Sequence, residues 1–148
     1  MARFSGLLGA RATLEFMNEV SPTTVDGLRD VIRGATPEAP VRIVGGRSLA
    51  DRVSPPPDHA RIVSIAALDV VAIDAPNLVV RVQAGATLAA LASKLSDAGL
   101  VWPVERLEPA GTLGGLVASG RGSALTVGDV PARRWILGAE VVTDDGEL

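Results

Sequence analysis

The residues with the most chemical promise in this chain are glycines. Gly45-Gly46 follows an apolar run, Gly111, Gly114 and Gly115 fall within five residues, and Gly120 and Gly122 close that second segment. Without a Cβ, glycine lets the backbone approach a ligand closely and adopt positive φ. Clusters of this kind after strand-like stretches read as ligand-contacting backbone before they read as flexible linkers.

Other chemistries are removed by composition. The chain has 148 residues and neither cysteine nor tyrosine. Disulfides, thiolate nucleophiles, iron–sulfur clusters and Cys-based zinc sites are therefore excluded, and no phenol can act as a catalytic acid. The one histidine, His59, stands beside Pro55-Pro56-Pro57-Asp58 and reads as an exposed loop residue. The one lysine, Lys94, follows no glycine-rich loop, which excludes a Walker A site. The arginines are spread along a chain of net charge −3 and form no basic stripe, so nucleic acid is not an expected partner. Any chemistry here must come mostly from a cofactor.

Length suits one domain or two small lobes. The longest charge-free runs, Val82–Ser93 and Pro109–Gly120, are shorter than the 18 or so residues of a membrane span. Phe4–Ala10, between Arg3 and Arg11, is a poor secretory core. A soluble, cytoplasmic protein is expected.

The elements that must position the glycines follow from pattern. Residues 1–20 form an N-terminal segment with weak helical character over Arg11–Asn18. Ser21-Pro22-Thr23-Thr24 starts a helix carrying Val25, Leu28, Val31 and Ile32 at helical spacing, and Gly34 ends it. Val41–Val44 is a strand that stops at Gly45, and Arg61–Ile65 and Val70–Ile73 are two more. Leu78–Gln83 alternates as a strand of an antiparallel sheet. Thr87 caps a helix with Leu88, Leu91 and Leu95 facing inward, ending at Gly99. Trp135–Thr143 is a further strand candidate, and Asp144-Asp145-Gly146 a hairpin turn. This order does not alternate regularly, and no GxGxxG follows the first strand, which disfavours a doubly wound sheet. The expected class is α+β, with a small lobe over 21–68 and the start of a larger lobe over 69–148. Asp74-Ala75-Pro76-Asn77 and Asp144-Asp145-Gly146 read as turns rather than metal sites, since Asp and Asn bond their own backbone there.

Four segments in order carry a family resemblance: Pro40–Ser48, Val80–Leu88, Pro109–Gly120 and Ile136–Glu147. Over about Ser21–Leu148 the chain resembles the FAD-binding domain of the vanillyl-alcohol oxidase and p-cresol methylhydroxylase type. Within that type it looks nearest to the FAD-binding subunit of glycolate oxidase. The resemblance implies a two-lobed α+β fold, here with the second lobe truncated, and an FAD pyrophosphate buried between the lobes. It implies cofactor contacts from Gly45, Gly46, Arg47, Ser48, Gly111, Thr112, Gly114, Gly115, Ala118 and Ser119, and a 2-hydroxy acid such as glycolate as substrate.

Elementary chemistry agrees with that implication. A diphosphate needs several converging donors, and backbone N–H groups in a tight glycine turn supply them without side-chain bulk. Thr112 can cap the helix that follows it, and Gly114 and Gly115 would let the first turn approach the cofactor with its partial positive charge. There are departures from the family pattern. Arg47 stands where the first loop usually has its second glycine, and could contact a phosphate or crowd the loop. Arg133-Arg134 stands where many relatives carry Arg-Asp. With no cysteine, and His59 outside the matching positions, FAD is expected to be non-covalent. Catalytic residues are not assigned; Glu105 and Glu108 are the carboxylates nearest the second glycine segment. Two alternatives stay open: a non-catalytic interaction subunit, and a binding module for another phosphate-bearing ligand. A partner subunit or a further C-terminal domain is expected to complete the substrate site.

Overall fold

The computed structural model describes residues 19–49, 54–102, 111–120 and 132–148. Three short strands, β1 (Glu19–Val20), β2 (Val41–Val44) and β3 (Arg61–Ser64), form one sheet in the order β1-β3-β2, with both pairings parallel. The central strand is β3, and Ile62, Val63 and Ser64 are all buried, Val63 completely. Burial on both faces is what a parallel strand requires, and it explains an apolar run in place of alternation. The two-residue strand β1 has no sequence pattern of its own; its pairing with β3 defines it.

Between β1 and β2 runs α1 (Val25–Arg33), capped by Thr24, whose Oγ1 accepts the Gly27 N–H at 3.1 Å. The hydroxyl cap is thus the last residue of Ser21-Pro22-Thr23-Thr24. Val25, Leu28, Val31 and Ile32 are half-buried, and the Gly34 N–H closes the helix on the Asp30 carbonyl.

An antiparallel hairpin follows: β4 (Val71–Asp74) and β5 (Val79–Val82), with Val71 opposite Val82 and Asp74 opposite Val79. Its turn is closed by Leu78 N–H on the Ala75 carbonyl, with Leu78 at φ 55°. Leu78 is therefore an exposed turn residue rather than the first inward position of the strand. Asn77 donates to Asp74 Oδ2 at 2.9 Å, so these two side chains serve the turn.

Thr87 caps α2 (Leu88–Asp97), accepting the Ala90 N–H, and Leu88, Leu91 and Leu95 are its buried face. The helix stops as its sequence implies. Gly99 is left-handed at φ 70°, and the Gly99 and Leu100 N–H groups return to the Ser96 and Leu95 carbonyls, a Schellman closure. The last helix, α3 (Leu113–Ser119), packs Leu116 against Leu88, Ala132 and Trp102.

The region expected as a strand over Trp135–Thr143 is different. A single 3-10 turn spans Ala132–Trp135, and the residues after it pair with no described strand. Ile136, Val141 and Val142 have β propensity, but a strand exists only where a neighbouring edge takes its backbone groups. The Asp-Asp-Gly turn does form, with Gly146 at φ 76° donating to Thr143 and the Thr143 N–H donating to the Glu147 carbonyl. The weak helix expected over Arg11–Asn18 lies outside the described residues.

Candidate functional site

The first glycine loop leaves the carboxyl end of β2. Gly45 is half-buried, while Gly46, Arg47 and Ser48 are exposed. Arg47 sits at φ 55°, in the left-handed region that glycine enters freely and an L side chain enters at a cost of about 1–2 kcal/mol. The position where the resembling family has glycine is thus one where the backbone calls for it. A left-handed residue inside a turn is also the geometry that brings successive N–H groups to one side. Among the described residues, no acceptor takes the N–H of Gly45, Gly46 or Ser48. The Arg47 guanidinium does not point aimlessly: Nη2 lies 2.7 Å from Glu19 Oε2 on β1.

The second segment is zipped to the turn before α2. Leu113 N–H donates to Ala86, Gly114 N–H to Ala84 and Leu88 N–H to Gly111, and the caps Thr87 and Thr112 form an antiparallel bridge. Thr112 is 3% exposed, and its Oγ1 accepts the Gly115 N–H at 3.2 Å while its carbonyl accepts Leu116 N–H. The donors of the first α3 turn are therefore engaged within the chain. What this segment visibly contributes is shape, and any approach of the helix's first turn to a phosphate would be through its partial positive charge rather than through free N–H groups. Gly114 shows why. A Cβ there would lie 2.9 Å from the Ala84 Cβ and 3.0 Å from its carbonyl oxygen, so the close approach that needs glycine is to the chain itself. A Cβ on Gly115 would meet only Thr112 Oγ1, at 3.3 Å, so that side is comparatively open.

The two segments meet. A Cβ on Gly45 would overlap the Thr112 hydroxyl and come within 3.3 Å of both Thr112 carbons, so the absent side chain is what lets the loop close on the α3 cap. Gly45 and Thr112, 67 positions apart in sequence as numbered, become neighbours. Ala118 and Ser119 do not join them. Both are exposed at the far end of α3, about 10 Å along the axis from Thr112, and the Ser119 hydroxyl donates to its own helix at Leu116.

His59 is exposed, as its proline-rich surroundings imply, and Glu105 and Glu108 lie outside the described residues. No group of three His, Asp or Glu residues among the described residues could hold a metal ion. The Asp145 carboxyl is held below its ordinary value by the Thr143 hydroxyl and then by the Glu147 N–H, which is turn chemistry. A groove of about 630 Å³ along α2, lined by Leu91, Leu95, Leu100 and Trp102 among others, touches none of the expected site residues.

Residues 18–148 match the family model described as FAD binding domain. The chain belongs to the FAD-binding domain family. The expectation of a p-cresol methylhydroxylase-type domain from a flavin-dependent oxidoreductase family stands with it. No curated protein sequence matches. Among solved structures, this FAD-binding domain is similar to Phl p 4, a grass pollen allergen with glucose dehydrogenase activity (20% identity, TM-score 0.73). It is equally similar, at 19% identity and TM-score 0.73, to a Phl p 4 variant described as a glucose dehydrogenase and another described as a glucose oxidase. Each match covers 87% of this chain and 27% of the other, so the likeness is one of fold over part of a longer protein. No helix among the described residues is long and apolar enough to cross a membrane.

The residues present fit an FAD diphosphate. The Gly45–Ser48 loop offers the N–H groups of Gly46 and Ser48, which have no acceptor among the described residues, and the glycine at 45 lets that loop lie against a buried threonine. Sequence reasoning missed Glu19, and read Gly85 only as part of the turn over residues 84–86 within the Val80–Leu88 segment. A Cβ on Gly85 would overlap the Ile65 carbonyl oxygen and lie 2.7 Å from that of Leu68, and this glycine sets the α2 entry against which Gly114 packs. Its signal in the sequence was a turn between a strand and a capped helix.

Proposed function

We propose that this domain holds FAD non-covalently, with the diphosphate on the Gly45–Ser48 loop where it meets Thr112. We further propose that it is the cofactor-binding part of an oxidoreductase acting on a 2-hydroxy acid such as glycolate. The observation that carries the reading is the contact of Gly45 with Thr112, which joins two glycine segments into one surface with exposed backbone donors. Non-covalent attachment is supported by the lack of cysteine and by the placing of His59 in an exposed loop. When bound, the flavin supplies hydride-accepting chemistry; the chain binds and orients it. The substrate class rests on the resemblance of the four sequence segments. Glucose, named for the solved relatives, shares with a 2-hydroxy acid an oxidisable CH–OH carbon. Substrate-facing groups are assigned to further sequence or a partner subunit, in keeping with the 27% share of the solved relatives that this chain spans.

The test is the visible spectrum of the protein after incubation with FAD and removal of free cofactor. Flavin bands that stay with the protein, and pass to the supernatant on acid precipitation, are expected. Anaerobic bleaching of those bands by glycolate but not by glucose, with the domain joined to the sequence or partner subunit that carries the substrate-facing groups, supports the substrate; the domain alone is expected to bind FAD without being reduced. A colourless protein that leaves FAD fluorescence unchanged in titration overturns the cofactor assignment.

A further inference from the structure

We propose that Arg47 is a positioning residue: its ion pair with Glu19 holds the Gly45–Ser48 loop in its binding shape before any cofactor arrives. The inference rests on the reading of that loop as the diphosphate site. It assigns phosphate recognition to the backbone N–H groups rather than to the guanidinium.

Topology comes first. β1 and β2 lie on opposite sides of β3, and Glu19 is on β1 while Arg47 follows β2. The pair, 2.7 Å between Nη2 and Oε2, therefore ties the loop at the carboxyl end of the sheet, across β3, to a β1 residue in register with Ile62. Open sheets with parallel strands take ligands at that end. The pair is partly exposed, with the Glu19 side chain 19% and that of Arg47 33% accessible, so solvent and salt screen it less than a fully exposed pair.

Backbone conformation gives the second argument. At φ 55° Arg47 occupies a conformation that a glycine would reach freely but also leave freely. An arginine anchored at its far end cannot leave without breaking the ion pair. Ordering the loop in advance removes that cost from ligand binding, which is how preorganisation raises affinity. The Glu19 carboxylate also compensates the guanidinium charge, leaving Gly46 and Ser48, whose N–H groups have no described acceptor, to meet the anion.

The experiment uses Glu19→Gln, Arg47→Ala, the double variant and Arg47→Lys in the full chain. Hydrogen exchange of the peptide containing residues 45–48, without cofactor, is expected to quicken about tenfold in each of the first two and no further in the double. Arg47→Lys should recover part of the protection. The dissociation constant for FAD should rise about fivefold to tenfold in each single variant, with the double again no worse. Unchanged exchange in Glu19→Gln overturns the clasp. Tighter FAD binding by Glu19→Gln overturns it too, because a guanidinium released from Glu19 would then be the phosphate ligand. If the unsubstituted chain takes up no FAD, the cofactor reading alone falls, and the exchange result still decides the clasp.

Discussion

Gly114 and Gly85 owe their identity to neighbours within the chain, and this changes what their substitution measures. A side chain at Gly114 would press on Ala84, and one at Gly85 would strike the Ile65 and Leu68 carbonyls. Carbonyl oxygens in a turn cannot swing aside as a long side chain can. Gly85→Ala is therefore expected to destabilise the fold by about 3 kcal/mol or more, within the range of severe backbone and packing defects. Gly114→Val should also lower the melting temperature without any cofactor present. Thermal melts of the apo-protein check both; a Gly114→Val protein that melts like the parent but loses FAD would return the residue to direct cofactor contact. That the turn around Gly114 has to be tight was legible from sequence, whereas the Ala84 atoms that this glycine avoids were not. Glu19 was illegible for a related reason. Its partner is 28 residues away, and an ion pair at that separation is set by strand order, which no local pattern encodes.

The two threonine caps allow a comparison between elements built to the same plan. Thr87 begins α2 and Thr112 begins α3, each accepting an N–H three residues on at 3.1 and 3.2 Å. Both were readable as helix starts, because a hydroxyl before an apolar periodic run is a signal carried by adjacent residues. Their surroundings differ. Thr87 is half-buried, whereas Thr112 is 3% exposed and carries the hydroxyl over which Gly45 closes. Removing a cap costs about 1 kcal/mol. Thr87→Ala should show about that loss, and Thr112→Ala more, with Thr112→Ser restoring most of it; chemical denaturation of the three variants decides. The same contrast explains which elements were legible. β2, β3, the β4–β5 hairpin and α2 have strong local patterns, and each lies within a residue or two of its expected place. β1 is two residues long and exists through pairing, and the expected strand over Trp135–Thr143 has apolar, β-branched content but pairs with no described edge.

Across the whole molecule, the turn at residues 143–147 lies against α1, more than a hundred residues earlier. Arg29 Nε donates to the Gly146 carbonyl at 2.9 Å, and Arg33 Nη2 meets Glu147 Oε1 at 2.8 Å. Gly146 is buried against Arg33, and any Cβ there would overlap the arginine stem. The turn must keep its shape for these contacts to form, and Asp145 keeps it by accepting from the Thr143 hydroxyl and, at 3.0 Å, from the Glu147 N–H. Those two bonds, to the charged form, hold the Asp145 carboxyl below its ordinary value. A carboxyl with a depressed folded-state value contributes stability above its unfolded value, about 3.9, and loses it as the pH falls through the lower folded one. Asp145→Asn should therefore melt below the parent at about pH 7, and the gap should close as the pH falls from about 4 towards 2. Paired melts of the two proteins across that range are the measurement. A gap that stays constant would mean that Asp145 acts through shape alone, and a gap that widens in acid would remove the carboxylate from the turn altogether.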